Sequence, residues 1–166
     1  MKSFYLTSTS MLISICGLLY AFYLQIELNL IPCTLCIWQR WPHVFNILIT
    51  LILLTTPNKK IRLLFFGFIN MLGGTFLSIY HFGLEKGFWN NVFSCSGIRN
   101  LENLTAHELL SNLKKIPISS CETVQWHLFD ISLTGWNIII SSIITIIWAV
   151  NFYLFFFCQE SNSAPQ

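Results

Sequence analysis

The chain has 166 residues, of which 54% are hydrophobic and only 10% charged, against about 25% charged in an ordinary soluble domain. That balance points to a membrane, and a formal charge of +2 with nine Lys and Arg spread along the chain offers no concentrated basic face for nucleic acid. Aromatic residues make up 16%, with six Trp among them, as suits the headgroup level of a bilayer where amphipathic rings settle.

Four apolar stretches are each long enough, at about twenty residues, to cross a hydrocarbon core as helix. The first covers Phe4 to Ile26. Lys2 precedes it as in a secretory signal, but the run is long and lacks small residues at a cleavage point, so it reads as a retained membrane helix. The second has a short uncharged run, Trp41 to Thr56, and borrows residues back across Arg40 toward Cys36 to reach about 37–56. The third covers Leu63 to Phe82 and the fourth Trp136 to Cys158. The expected fold is an all-α integral membrane protein, one four-transmembrane-helix bundle with a short first outer loop at about 27–36 and a long second one at about 83–135.

The long connector is too polar to span and too large for a turn, which makes it the expected partner-binding segment. Within it Thr105-Ala106-His107-Glu108 matches a capping box. Leu109, Leu110, Leu113 and Ile116 then recur at helical spacing, giving a short amphipathic helix that lies on the membrane surface or packs on the bundle.

Four spans place connectors one and three on one side and both termini, with the tight Asn58 to Arg62 connector, on the other. Cys33, Cys36, Cys95 and Cys121 all fall in connectors one and three. Lys59, Lys60 and Arg62, with Lys2, mark the opposite side as cytoplasmic under the positive-inside rule, although Lys86, Arg99, Lys114 and Lys115 sit in the long connector. Disulfides persist in oxidising compartments. Both arguments put the cysteines outside and both termini in the cytoplasm.

Cys33-Thr34-Leu35-Cys36 is a C-x-x-C pair, whose sulfurs can bridge and resolve one another's mixed disulfides. Two plainer readings compete: a static disulfide, or a zinc site completed by Cys95 and Cys121, whose 26-residue separation lacks a second close pair. The pair stands ahead of the second span, where free amides and the helix dipole favour a thiolate. Arg40 follows Cys36 by four residues and Cys33 by seven, so a continuous helix puts all three on one face. A helix that starts near Pro42 would leave them in a loop. In either case Arg40 is a boundary charge, serving the site or anchoring to headgroups.

Pro32-Cys33-Thr34-Leu35-Cys36-Ile37-Trp38-Gln39-Arg40 resembles the signature of the disulfide bond formation protein B (DsbB) family. Tyr80-His81-Phe82-Gly83-Leu84-Glu85, Gly87-Phe88-Trp89, Cys95, Cys121-Glu122 and Trp126 continue the likeness in order, over nearly the whole chain. The resemblance implies an inner-membrane thiol oxidase. The pair Cys95 and Cys121 would oxidise a periplasmic thioredoxin-like dithiol protein (DsbA-like), and Cys33 and Cys36 would pass the electrons to ubiquinone or menaquinone. It also implies that Arg40 and His81 stand near the quinone, although a lone boundary His is often only a solvated or hydrogen-bonded residue. No metal is expected.

Gln39 stands where some relatives have Glu, which puts a proton-handling carboxylate there in doubt. Cys16 and Cys158 have no place in such a relay and read as inert buried thiols. Asn103-Leu104-Thr105 is an accidental glycosylation sequon. Two other functions compete: a vitamin K epoxide reductase-like oxidase, in which the order of the two cysteine pairs is reversed, and a four-span scaffold or small transporter braced by two structural disulfides.

Overall fold

Each of the four apolar runs is helical in the computed structural model, which describes residues 2–56, 60–89, 121 and 126–163. The elements are α1 (Lys2–Glu27), α2 (Thr34–Thr55), α3 (Lys60–Glu85), a two-stranded hairpin of β1 (His127–Leu128) and β2 (Ile131–Ser132), and α4 (Leu133–Ser163). Helix is what an apolar chain must form in lipid, because it satisfies every backbone group within the segment. α1 packs against α2 and α4, and α3 likewise against α2 and α4.

Among the described residues three segments, Phe4–Glu27, Ile61–Glu85 and Leu133–Phe156, are long and apolar enough to cross a membrane. α2 does not join them on composition. Gln39, Arg40, His43 and Asn46 dilute its first half. Its burial explains the difference: Leu35, Gln39, His43, Asn46, Thr50 and Leu53 form one buried stripe at helical spacing, while Ile37, Trp38, Trp41, Phe45, Leu48 and Ile52 face outward. The helix hides its polar side and shows its apolar side.

The same inversion holds across the protein. Among the described residues fourteen buried positions are polar and ten apolar, whereas soluble cores are dominated by apolar side chains. Leu53, Leu64, Met71, Ile144 and Trp148 form an apolar cluster. A second cluster joins Cys33, Leu35, Leu84 and Cys121. Between them the helices are held largely by polar pairs such as Thr75 Oγ1 with Thr145 Oγ1 at 3.1 Å.

Several boundaries differ from the sequence expectation. α2 begins at Thr34 rather than near residue 37, so Cys36 lies in its first turn and not in the connector. α3 runs on to Glu85 instead of stopping near Phe82, and α4 starts at Leu133 instead of Trp136. A hairpin, absent from the sequence reading, precedes α4; its two-residue turn places both Phe129 (φ 52°) and Asp130 (φ 59°) at positive φ, as the twist of tight hairpins demands. The capping box and amphipathic segment at 105–116 lie outside the described residues.

Pro42 does not start α2 but sits inside it. It leaves the Trp38 carbonyl without its usual helical donor, and the neighbouring helix accommodates the ring. Asn70 Nδ2 donates to the Pro42 carbonyl at 2.8 Å, and a Cβ added at Gly74 would stand only 2.8 Å from Pro42 Cβ. α3 makes a similar approach to α4 at Gly67, where a Cβ would meet the Trp148 ring at 2.5 Å. Trp148 is fully buried and has no room to retreat. Gly67→Ala is therefore expected to destabilise the detergent-solubilised protein by about 1–3 kcal/mol, whereas Gly73→Ala, where a Cβ meets nothing within 4 Å, is expected to leave the melting temperature unchanged or slightly raised.

Candidate active site

The head of α2 is capped by a sulfur. Cys33 is the N-cap residue, in extended conformation, and its Sγ accepts the Cys36 backbone N–H at 3.3 Å. The Cys33 and Cys36 sulfurs are free thiols 3.3 Å apart, the first buried and the second half-buried. A sulfur at a helix N-cap faces unpaired amides and the positive end of the dipole, which favour its thiolate. The hydrogen bond from the Cys36 thiol, supported by His81 and opposed by burial, holds Cys33 well below the ordinary thiol range.

His81, on the last turns of α3, reaches Cys33 Sγ with Nε2 at 3.5 Å. Its Nδ1 accepts from Gln39 Nε2 at 3.1 Å, so the ring proton belongs on Nε2, aimed at the sulfur. Gln39 Oε1 in turn accepts from Asn137 Nδ2 at 3.2 Å, and that amide also donates to Ser78 Oγ at 2.8 Å. His43 Nε2 lies 3.1 Å from Asn137 Oδ1, and His43 Nδ1 lies 3.2 Å from Ser14 Oγ. Asn46 continues the line, donating to Ser14 Oγ at 2.8 Å and accepting from Trp148 Nε1 at 2.7 Å. One chain of hydrogen bonds thus runs from Cys33 to Trp148, linking all four helices.

Arg40 is helical, four residues beyond Cys36, which resolves the two sequence alternatives in favour of a continuous helix. Its Nη1 donates to Gln25 Oε1 at 2.9 Å, and the guanidinium lies 4.8 Å from the centroid of the Phe22 ring. Both contacts come from α1. A cavity of about 220 Å³ lies between α1, α2, α4 and the hairpin, with Cys36, Gln39 and Arg40 on one wall and Leu18, Leu133 and Ile140 among its apolar lining. A smaller cavity of about 50 Å³ is lined by Cys33, Cys36, Arg40, His81 and Glu85.

Cys121 is buried, belongs to the same cluster as Cys33, and is in a disulfide. Cys95 lies outside the described residues. Because Cys121 is in a disulfide, it is not free to complete the four-cysteine zinc site weighed from the sequence.

The family model for disulfide bond formation protein DsbB matches residues 5–151. The chain belongs to the DsbB family. Curated relatives named disulfide bond formation protein B include that of Hahella chejuensis, 31% identical over 143 residues covering 82% of this chain and 86% of the relative. That of Pseudoalteromonas atlantica is 26% identical over 136 residues, covering 79% and 78%. The chain is also similar to uncharacterized protein RP370 of Rickettsia prowazekii, 28% identical over 130 residues covering 78% and 76%. No solved structure gives a significant match.

For this DsbB-family chain the structure brings Cys33, Cys36, His81 and Cys121 to one end of the bundle, with Arg40 one turn deeper. Sequence reasoning missed Thr134 and Glu85 as members of the site. Thr134 Oγ1 lies 3.4 Å from His81 Nδ1 and donates to Glu85 Oε1 at 2.6 Å, while Ser132 Oγ donates to Glu85 Oε2 at 2.6 Å. The signal available was the i, i+4 spacing of His81 and Glu85, which places both on one face of a helix. Cys16 corrects another expectation: it is exposed, not buried. Ser10 and Ser14 occupy the inward face of α1, and two residues beyond Ser14 the helix has turned about 200° away. The Cys158 side chain lies outside the described residues.

The order of effects on Cys33 is testable. In the reduced protein, Cys36→Ala should return the Cys33 titration toward the ordinary thiol value of about 8.5, and His81→Ala should shift it in the same direction by less. Thiolate absorbance followed against pH measures both, and a larger shift in His81→Ala than in Cys36→Ala contradicts the assignment.

Proposed function

We propose that the chain is a multi-pass disulfide oxidoreductase of the bacterial inner membrane. It reoxidises a periplasmic DsbA-like dithiol protein and passes two electrons through Cys95 and Cys121, then Cys33 and Cys36, to ubiquinone or menaquinone. The observation that carries this reading is the position of the C-x-x-C pair: Cys33 shares a buried cluster with disulfide-bonded Cys121, and Cys36 lines the large cavity. One sulfur faces a second cysteine pair and the other faces a space for an acceptor.

α2 serves as the fourth span, its polar stripe turned inward and its apolar face toward lipid. The Lys59, Lys60 and Arg62 connector and both termini are cytoplasmic, and the cysteine-bearing end is periplasmic. Family membership supports the inner membrane, and the persistence of disulfides in an oxidising compartment supports the orientation.

In the proposed cycle the partner's thiolate attacks Cys95 and displaces Cys121. Resolution by the partner's second thiol then releases an oxidised partner and a Cys95–Cys121 dithiol. Exchange of Cys121 onto Cys33 expels Cys36, and Cys95 completes the transfer by attacking Cys121, which leaves Cys33 and Cys36 as a dithiol. The cavity suits a quinone ring in the nature of its walls: largely apolar side chains, with a thiol and a guanidinium at one wall. A bound quinone supplies the two-electron, two-proton acceptor that no side chain provides. Arg40, held by Gln25 and Phe22, is positioned to stabilise negative charge at that wall. The Cys33 thiol, lowered by its N-cap position and by its neighbours, stays ready for exchange.

Cys33→Ser and Cys36→Ser are each expected to abolish quinone reduction by the inserted protein, and full turnover by either variant sinks the relay. Arg40→Ala should raise the apparent KM for quinone, with partial recovery in Arg40→Lys, which keeps the charge but not the guanidinium fork. A quinone dependence unchanged in Arg40→Ala reduces the residue to an anchor. A DsbA-like partner lacking its resolving cysteine should be trapped on Cys95. Peptide mapping that finds the cross-link on Cys121 reverses the two roles, and no cross-link with an intact second disulfide favours the braced scaffold.

A further inference from the structure

We propose that the reduced C-x-x-C pair and His81 form a binding site for a thiophilic divalent cation, with Zn²⁺ as the natural occupant, and that the bound cation holds the pair reduced. The three ligand atoms, Cys33 Sγ, Cys36 Sγ and a His81 ring nitrogen, all lie within 4.8 Å of one another. Zinc bonds of about 2.3 Å to sulfur and 2.0 Å to nitrogen place tetrahedral neighbours about 3.5–3.8 Å apart. The sulfurs are 3.3 Å apart, and Nε2 is 3.5 Å from Cys33 Sγ. Opening the sulfur pair by a few tenths of an ångström, with Cys36 Sγ and the imidazole, which lie within 4.8 Å, drawn to about 3.5 Å, reaches that geometry.

The surroundings are built for such a ligand set. Cys33 and His81 are almost wholly buried, at 2% exposure each, which fixes both donors on rigid elements. A metal on Nε2 puts the ring proton on Nδ1, and there Thr134 Oγ1 stands at 3.4 Å with its own hydroxyl given to Glu85. A metal-bound imidazole usually gives its other N–H to a carboxylate, a carbonyl or water, and here a hydroxyl bonded to a carboxylate stands in that place. That tautomer requires the Gln39 amide to turn its oxygen to Nδ1 and give up the bond it accepts from Asn137 Nδ2. The small cavity bounded by the three ligands and Glu85 leaves a fourth position for water.

Binding displaces the two thiol protons and forms two metal–sulfur bonds with no change of oxidation state. The Cys33–Cys36 disulfide and the metal therefore exclude each other: oxidation expels the cation, and the cation blocks oxidation. The site is thus a reversible brake on the proposed relay. It depends only on the reduced pair and His81, so its failure would leave the quinone reading standing, and the failure of quinone reduction would leave the metal site standing.

The test uses the full chain in detergent with Cys95→Ser and Cys121→Ser, so that the second pair binds nothing, and Zn²⁺ alone as the probe. One Zn²⁺ per reduced chain is expected to survive desalting, and none per chain with Cys33 and Cys36 oxidised. Co²⁺ in its place should give thiolate charge-transfer and tetrahedral d–d bands. His81→Ala should weaken Zn²⁺ binding at least tenfold, and His81→Cys, which supplies a third sulfur, should restore it with unchanged helical content. Absence of stoichiometric Zn²⁺ on the reduced chain overturns the proposal. So does equal affinity in the parent and His81→Ala, because the two thiols would then act without the imidazole.

Discussion

Everything at the cysteine-bearing end of the bundle hangs on one hydrogen bond, from the Cys36 amide to Cys33 Sγ. A helix N-terminus must find acceptors for its first amides, and the usual choice is an oxygen of Ser, Thr, Asp or Asn. Here a thiol takes the place. The helix thereby begins three residues ahead of the span expected from about residue 37, and the second cysteine is drawn into the first turn beside the first. Both sulfurs inherit the field of the helix end, and Arg40 falls one turn below Cys36 on the same helix. A conventional oxygen cap at residue 33 would secure the helix equally well and leave the site with one sulfur.

The second constraint is that α2 carries polar groups into a low-dielectric interior, where each unsatisfied group costs about 1–3 kcal/mol. The protein answers by running them together. Gln39, His43 and Asn46 of α2 meet Ser14 of α1, Ser78 and His81 of α3, and Asn137 and Trp148 of α4. Helices in lipid gain little from apolar contact with one another, so packing and such bonds supply much of their cohesion. The network that holds the bundle is therefore also the one that fixes the tautomer of His81 beside Cys33. Structure and site share their hydrogen bonds, and an amide lost near the middle is felt at the sulfur.

The elements legible in the sequence were those whose signal is local. Four apolar runs gave four helices, and Cys33 and Cys36 carried their chemistry in their spacing. Pro42 leaves the start of α2 open in the sequence because its first-turn preference is a statistical tendency, while Asn70 and Gly74 on α3, which receive the proline inside a helix, are distant in sequence. The third apolar run ends at Phe82, whereas α3 continues to Glu85, whose carboxylate is met at the bundle end by Ser132 and Thr134, almost fifty residues away. The hairpin was invisible since its turn uses Phe129 and Asp130 rather than the glycine such backbone angles usually require. Cys16 was misplaced for a simpler reason: in a membrane helix, apolar surroundings lie outside as well as inside.

The two cavities divide the labour of the C-x-x-C pair. Cys36 borders both, whereas Cys33 borders only the smaller, so an apolar ring entering between α1 and α4 meets Cys36 and not Cys33. Cys33 instead packs with Cys121 and is held by His81. Such a pair is asymmetric by construction: the sulfur with the stabilised thiolate is shielded from the large cavity, and the sulfur that faces it is the one released when exchange occurs at its neighbour. Arg40 then belongs to the same wall as Cys36, and its tether to Gln25 and Phe22 keeps a positive charge on the wall of a largely apolar space. A positive charge on such a wall favours a group that becomes negative there, so in the proposed relay the acceptor belongs on the α1 side of the bundle.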